Sequence, residues 1–93
     1  MGQKARQKPV KLAQKLLRIR TELGLSQSGM IRELGLADEL RQSHISGYEL
    51  GTREPSLIAL LRYARVARVT MEMLVDDQMD LPKHIPAKKK PST

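Results

Sequence analysis

Four consecutive polar residues with varied hydrogen-bonding groups, Arg41 to His44, precede the apolar residues Ile45 and Tyr48. A glutamine amide can form paired hydrogen bonds with adenine, and an arginine guanidinium can do the same with guanine. A polar run at the front of a helix can therefore read base edges. An ordinary amphipathic helix with a solvated polar face has the same pattern, so these residues alone leave both interpretations open.

Residue types that carry catalysis or bind metals are scarce. Cysteine is absent, which excludes disulfides, thiol nucleophiles and zinc sites of the finger type. The two histidines, His44 and His84, lie far apart in the chain and have no companions at ligand spacing. The sequence shows no nucleophile–base pair and no pair of carboxylates for a cleft. We therefore predict that the protein is not an enzyme and needs no cofactor or metal.

The charge is unevenly distributed along the chain. The 93 residues include 17 Lys and Arg against 10 Asp and Glu, a formal net charge of +7. Residues 1–20 carry seven basic and no acidic residues, 21–69 are balanced, 70–80 carry four acidic residues, and 81–93 carry four lysines. A basic excess favours a polyanion such as nucleic acid as the partner. A soluble protein with basic tails has the same excess, and here it comes from the two ends.

The spacing of apolar residues predicts five short helices. Leu12, Leu16, Ile19 and Leu23 recur at i, i+4, i+7 and i+11, which places them on one face of a helix over about 10–23. The other helices are expected over about 27–34, 41–50, 57–68 and from 71. Their core residues are predicted to be Met30, Ile31, Leu34, Ile45, Tyr48, Leu57, Leu60, Leu61, Ala64, Met71, Leu74 and Val75.

Small polar residues and glycines mark the helix ends. Ser26, Ser56 and Thr70 can cap the helices that follow them, and the glycines at 24, 35 and 51 can end the helices before them. None of these helices is long enough to be stable alone in water. We therefore predict an all-α five-helix bundle over about residues 10–76. A flexible basic arm is expected at 1–9, and a disordered tail rich in proline and lysine at 77–93.

Several motifs follow one another at set intervals: LGLSQ at 23–27, LG at 34–35, ISGYELG at 45–51 and REPS at 53–56. Together they resemble the phage-repressor-like (Xre or Cro-type) helix-turn-helix family over about residues 16–75. The resemblance implies a compact five-helix bundle of the lambda-repressor type that binds double-stranded DNA. The third helix, about 41–50, is then expected to lie in the major groove.

The resemblance also implies roles for individual residues. Base readout is expected from Arg41, Gln42, Ser43, His44 and Ser46. Phosphate contacts are expected from Ser26, Gln27, Ser28, Thr52 and Arg53, aided at the start of the second helix by free backbone N–H groups and the helix dipole. Arg20 and Glu49 match a pair that bridges the first and third helices, which implies a structural role. A cap at Ser26 and a solvated loop residue at Arg53 are the simpler alternatives.

The connection between the second and third helices departs from the family pattern. The stretch from Gly35 to Ile45 is longer by about four residues, 36–39, which corresponds to about one helical turn. Extending the third helix forward would carry Asp38 and Glu39 toward DNA phosphates. We therefore predict a bulge or a separate turn.

Two other positions also differ from the family. Gly47 stands where the family often carries a longer polar side chain. It costs about 1 kcal/mol of helix propensity. A close backbone approach to DNA or to another helix would explain it, and so would sequence drift. Arg68 stands where the family commonly has glycine at the end of the fourth helix. A left-handed conformation there would strain it modestly.

Three functions are compatible with these features. The first is a sequence-specific DNA-binding transcriptional regulator acting as a homodimer, because one small module contacts too few bases to select a site in a genome. The second is an antitoxin-type regulator whose main partner is a toxin protein, and the third is a protein-interaction module on the same fold. No run is apolar enough for a membrane span and no signal peptide is visible. We therefore expect a cytoplasmic, nucleoid-associated protein of bacterial or phage type.

Overall fold

A computed structural model describes residues 8–86, so the predicted basic arm up to residue 7 and the predicted tail from residue 87 lie outside the described residues. Within residues 8–86 the chain forms five helices and no strand, which confirms the predicted all-α class. The helices are α1 (Leu12–Glu22), α2 (Gln27–Leu34), α3 (Gln42–Leu50), α4 (Leu57–Ala67) and α5 (Met71–Val75).

The hydrophobic core forms where the apolar faces of all five helices meet. The predicted face of α1 is buried, together with Leu23 directly after the helix. The largest fully buried side chains are Tyr63, Leu16, Ile19, Met30, Leu34, Ile45 and Leu74. Burying a side chain of this size contributes about 1.5–3 kcal/mol. The core therefore holds together helices that are too short to be stable alone.

The helix ends follow the predicted capping residues. Ser26, Ser56 and Thr70 each accept a hydrogen bond from the backbone N–H three residues later, at 2.9–3.0 Å. Gly35 and Gly51 end α2 and α3 in the left-handed conformation. These caps satisfy backbone groups that would otherwise lack partners at the helix ends.

Arg68 ends α4 in the left-handed conformation, with φ of 61°. For a side chain with a Cβ atom this conformation costs roughly 1–2 kcal/mol. Arg68 therefore bears the modest strain that the sequence predicted for this position.

The connection between α2 and α3 contains a separate turn. The N–H groups of Glu39 and Leu40 both donate to the carbonyl of Leu36, at 3.0 and 2.9 Å. Leu36 is buried, whereas residues 37–39 are exposed. The extra residues thus leave the front of α3 unextended, as predicted, and Leu36 anchors the turn to the core.

The first turn of α4 differs from the prediction. Leu57 was expected to face the core, but its side chain is 75% exposed, and the neighbouring Ile58 is 52% exposed. The buried face of α4 begins only at Ala59 and Leu60. The first turn of α4 therefore lies beyond the edge of the core.

Val75, at the last position of α5, was also predicted to lie in the core, and its side chain is exposed.

Residues 76–86, here termed the C-terminal strap, pack along α1. The sequence placed residues 77–86 in a disordered tail, but Leu81 and Ile85 are buried in the core. Arg18 donates from Nη2 to the backbone carbonyls of residues 82 and 83, at 2.5 and 2.6 Å. The carboxylate of Glu22 accepts the N–H of Ile85 at 3.1 Å. Two apolar anchors and the polar side chains of α1 together hold the strap in place.

Lys15, on α1, forms hydrogen bonds that hold the beginning of the strap against the helix. Its side chain is buried, and its ammonium group donates to the carbonyls of Met73, Asp76 and Met79 at 2.7, 3.1 and 2.8 Å. A buried ammonium group is costly unless its three donors find partners. Lys15 therefore serves the fold, although the sequence counted it among the basic residues of the N-terminal region.

Tyr63 leaves one polar atom buried without a partner. The side chain is fully buried, and among the described residues nothing forms a hydrogen bond with its hydroxyl. Burial raises the pKa of this hydroxyl. Because an unsatisfied buried polar group costs about 1–3 kcal/mol, we expect Tyr63→Phe to raise the free energy of unfolding by about 1 kcal/mol in urea denaturation. A lower free energy of unfolding would contradict this expectation.

Candidate functional site

The start of α2 and the start of α3 meet at one polar surface. Gln42, the first residue of α3, donates from Nε2 to Oε1 of Gln27, the first residue of α2, at 3.2 Å. Gln42 is exposed, and Gln27 is half-buried beneath it. The two helices thus join their N-terminal ends through paired side-chain amides.

Glu49 fixes the orientation of both amides. Its Oε1 accepts a hydrogen bond from Gln27 Nε2 at 3.2 Å. A carboxylate only accepts hydrogen bonds, so the Gln27 amide must turn its NH₂ group toward Glu49 and its oxygen toward Gln42. Gln42 then contributes an N–H to Gln27 and keeps its oxygen and its second N–H for solvent. One acceptor beside one donor is the pattern that pairs with the N6 and N7 edge of adenine.

Arg20 holds Glu49 in place from α1. Its Nε and Nη2 atoms donate to the two carboxylate oxygens of Glu49, at 2.6 and 2.9 Å, and its Nη1 donates to the carbonyl of Leu25 at 2.9 Å. The side chains of Arg20 and Glu49 are only 17% and 6% exposed. Hydrogen bonding to Glu49 raises the pKa of the Arg20 guanidinium, and burial partly opposes this shift. One continuous hydrogen-bond network therefore runs from α1 to the surface of α3, through Arg20, Glu49, Gln27 and Gln42.

His44 turns back onto the start of α3. Its ring Nδ1 accepts the backbone N–H of Arg41 at 2.9 Å, and its backbone N–H donates to the backbone carbonyl of Arg41 at 2.9 Å. Nδ1 therefore carries no proton in this arrangement, and Nε2 is the nitrogen left for another partner. His44 caps the helix, a role that the sequence did not predict.

The five residues expected to read bases differ in exposure. Arg41, Gln42 and Ser43 are exposed at the front of α3, whereas His44 and Ser46 are half-buried. The set of exposed residues is thus smaller than the predicted set. Within residues 8–86, Gln42 is the only one of the three whose side chain forms a hydrogen bond with another side chain.

The residues expected to contact phosphates lie in two groups. Ser26, Gln27 and Ser28 lie at the start of α2, where Ser26 also caps the helix through the N–H of Gly29. Thr52 and Arg53 are exposed in the loop after α3. One predicted group of phosphate contacts therefore lies beside the start of α3, and the other lies in the loop after its last residue.

Gly47 lets the loop after α3 fold back onto the helix. Its carbonyl accepts the N–H groups of Thr52 and Arg53 at 3.0 and 3.2 Å. A Cβ atom at position 47 would lie 2.9 Å from Cβ of Arg53, closer than real Cβ atoms approach. The sequence left open a close approach to DNA or to another helix, or drift. The structure shows a close approach at position 47, but to the loop that carries Arg53.

Because the resemblance implies that Arg53 contacts a DNA phosphate, we expect Gly47→Ala to weaken DNA binding by displacing Arg53. The added Cβ forces a shift of a Cβ atom that is bonded directly to the loop backbone. The affinity for every duplex should fall, and the slope of log affinity against log salt should become shallower by about one phosphate contact, about 0.9. Fluorescence anisotropy over a salt series measures both. In the Arg53→Ala variant, adding Gly47→Ala should leave the salt slope unchanged. A further decrease of the slope in that double variant would contradict the expectation.

A groove of about 290 Å³ separates the start of α1 from the loop after α3. Residues 8–10 and the start of α1 line one side, and residues 51–55 line the other, with Tyr48 at the base. Burial raises the pKa of the Tyr48 hydroxyl, and the nearby charge of Arg53 partly opposes this. The chain before α1 thus runs beside the loop that carries Arg53.

Residues 8–86 offer neither a metal site nor a membrane-spanning helix. No three His, Cys, Asp or Glu side chains come together in a way that could hold a metal ion. None of the helices described there is long and apolar enough to cross a membrane.

The comparisons with known proteins agree with the helical fold. The model of a protein family described as helix-turn-helix matches residues 11–74, which include all five helices except the last residue of α5. A search of curated proteins finds no match for the chain. The matched region ends before the C-terminal strap.

Proposed function

Because the chain belongs to the phage-repressor-like helix-turn-helix family, whose members bind DNA, we propose that it recognises specific double-stranded DNA sequences as a transcriptional regulator. In this proposal α3 enters the major groove with its N-terminal end foremost. Gln42 reads bases there together with Arg41 and Ser43, and His44 and Ser46 lie at the edge of the contact.

The observation that carries the proposal is the orientation of the Gln42 amide. Glu49 aligns Gln27, and Gln27 aligns Gln42, through two hydrogen bonds of 3.2 Å. A side chain held in place before binding loses less conformational freedom on binding than a free one. We therefore infer that Gln42 contacts adenine through its free oxygen and N–H.

Phosphate contacts on either side of α3 set its position in the groove. The start of α2 supplies Gln27, Ser28 and the free backbone N–H groups at the positive end of the helix dipole. The loop after α3 supplies Thr52 and Arg53. Contacts of this kind fix the register of the helix on the duplex and leave sequence discrimination to the base contacts.

We further propose that two copies bind together on a two-fold-related site. Leu50 ends α3 and is 73% exposed, and Leu57 and Ile58 begin α4 with apolar side chains that are also exposed. These residues flank the loop of Arg53, so a contact between copies at this point would place both α3 helices on one side of the duplex. Half-sites about 34–36 Å apart would match successive turns of the groove.

A toxin protein as the main partner receives less support. The sequence offers the acidic segment 72–80 and the lysine tail as surfaces for such a partner. Within the acidic segment, however, Asp77 accepts the backbone N–H groups of residues 10 and 11 just before α1, and Asp80 faces Lys11 at 3.9 Å. The Asp77 carboxylate therefore has its partners within the chain, whereas the Asp80 side chain stays 86% exposed.

Selection of bound sequences from a random duplex pool tests the proposed function. We expect enrichment of one motif that contains adenine and is repeated with two-fold symmetry. The Gln42→Ala, Ser43→Ala double variant should retain weak binding and lose the motif. Failure of the full chain to enrich any sequence would overturn the proposal. A motif without two-fold symmetry would overturn only its homodimer part.

A further inference from the structure

Of the five helices within residues 8–86, four have their starts capped by side-chain oxygens. Ser26, Ser56 and Thr70 stand directly before α2, α4 and α5, and each accepts a backbone N–H at 2.9–3.0 Å. The Asp77 carboxylate accepts the N–H groups of residues 10 and 11 just before α1, at 2.9 and 3.0 Å. In contrast, α3 has no such side-chain oxygen directly before it.

Arg41, the residue before α3, makes the start of this helix unfavourable in two ways. Its guanidinium cannot accept a hydrogen bond, and its positive charge lies at the positive end of the helix dipole. The first turn of α3 also holds no acidic residue that would balance this charge. Nevertheless, α3 is the helix that the proposed function places in the major groove. Another group must therefore hold its first turn.

His44 supplies the acceptor that Arg41 lacks. Its Nδ1 accepts the backbone N–H of Arg41 at 2.9 Å from the third position of α3. In the capping box, a glutamate or glutamine at this position reaches back to the same N–H. The imidazole is half-buried, and this bond occupies its Nδ1. The ring that closes the first turn of α3 is thus one for which the resemblance implied base readout.

This bond lies next to the proposed adenine contact. Gln42 follows Arg41 directly, and Gln27 holds the Gln42 amide through a hydrogen bond of 3.2 Å. That hydrogen bond sets the orientation of the amide, whereas the bond from the Arg41 N–H to His44 holds the backbone just before it. Unwinding of the first turn would carry Gln42 away from Gln27. The preorganised contact therefore needs both supports.

We propose that His44 is a positioning residue, which holds the first turn of α3 so that Gln42 meets its base, and that His44 reads no base itself. This inference rests on the proposed function, because it takes DNA as the partner. Base readout at the front of α3 is then left to Arg41, Gln42 and Ser43.

Replacing His44 by alanine and by glutamine tests the role of the cap. His44→Ala removes the acceptor and should weaken binding to the duplex selected from the random pool by about 2–30-fold, the range expected for loss of a helix cap. His44→Gln should keep the affinity within about twofold of wild type, because a glutamine oxygen at this position reaches the same N–H. Fluorescence anisotropy measures both. His84→Ala, which removes the other histidine of the chain from an exposed position on the strap, should leave the affinity unchanged.

The selected motif distinguishes positioning from base reading. An amide and an imidazole offer different donors and acceptors to a base edge, so a base-reading His44 would give a different motif after His44→Gln. We expect the same motif from the wild-type chain and from His44→Gln. In the free protein, the Arg41 amide should exchange its hydrogen faster in His44→Ala than in wild type or His44→Gln.

A different motif with His44→Gln would overturn the inference, and so would an unchanged affinity with His44→Ala. A loss of affinity that persists in His44→Gln would overturn it as well. If His44→Ala does not fold, the motif and affinity of His44→Gln decide the question. If the wild-type chain enriches no motif, the proposed function itself fails. If it enriches one that His44→Gln alters, only the inference fails.

Discussion

Replacing Arg20 by alanine is expected to lower the free energy of unfolding by about 3–5 kcal/mol, the largest effect that we predict for any single substitution in this chain. The reason is that Glu49 is nearly buried and depends on Arg20 for two of its hydrogen bonds. Removing the guanidinium leaves a carboxylate in the interior with no opposite charge to balance it. Urea denaturation followed by circular dichroism measures the loss.

Two controls make this result interpretable. Arg65→Ala removes an exposed arginine from α4 and should change the free energy of unfolding by less than about 0.5 kcal/mol. The double substitution Arg20→Met, Glu49→Leu should recover most of the stability, because well-packed apolar residues often replace a buried ion pair without loss. If Arg20→Ala and Arg65→Ala lower the free energy of unfolding equally, the Arg20–Glu49 ion pair does not stabilise the fold as predicted.

The second large effect concerns recognition. Gln42→Ala is expected to weaken binding to the selected duplex by about 10–100-fold, because one good bidentate contact with a base contributes about 1–3 kcal/mol of discrimination. Binding to a random duplex should change little, since phosphate contacts dominate there. Fluorescence anisotropy on both duplexes at one salt concentration measures the difference.

Gln14→Ala serves as the matched control for Gln42→Ala. Gln14 is an exposed glutamine on α1, next to the strap and away from the front of α3. The same change there should leave both affinities unaltered. If Gln42→Ala weakens binding to both duplexes equally, Gln42 acts as a phosphate contact or a structural residue, and the base contact is excluded.

The helices were predictable because their signals are local. Leu16 and Ile19 repeat at helical spacing, and Ser26 stands directly before the next apolar segment. Such patterns depend only on neighbours within a few residues, and the structure follows them. The exceptions are Leu57, which matches the periodicity of α4 but lies beyond the edge of the core, and Val75 at the end of α5, which is also exposed. Periodicity gives the face of a helix and does not show how far the neighbouring elements extend.

The strap was missed because its signal is spread over distant residues. Lys11, Lys15, Arg18 and Glu22 recur at i, i+4, i+7 and i+11, a second stripe on α1 with the same spacing as the apolar one. In sequence it is typical of a solvated face. Its partners are mostly backbone groups of residues 73–85, and a backbone carbonyl carries no mark in the sequence.

The sequence predicted which residues belong to the candidate site, but it did not predict the hydrogen bonds between all of them. The sequence named Arg20 and Glu49 as a pair and the two glutamines, Gln27 and Gln42, separately. The hydrogen bonds that join the pair to the glutamines require three helices to meet. The role of Gly47 likewise became clear only once the loop of Arg53 was seen against it. Residue types can be read from one chain, whereas the order of donors and acceptors depends on packing.

The cap of α1 by Asp77 also bears on the order in which the domain forms. Residues 10 and 77 are 67 positions apart, so the first helix lacks its cap until almost the whole described chain has been synthesised. Contacts across such a separation close late, because the loop between them must lose its freedom first. During synthesis the start of α1 therefore lacks the hydrogen bonds of its cap until Asp77 has been added. In the finished protein the first turn of α1 and the strap should open and close as one cooperative unit.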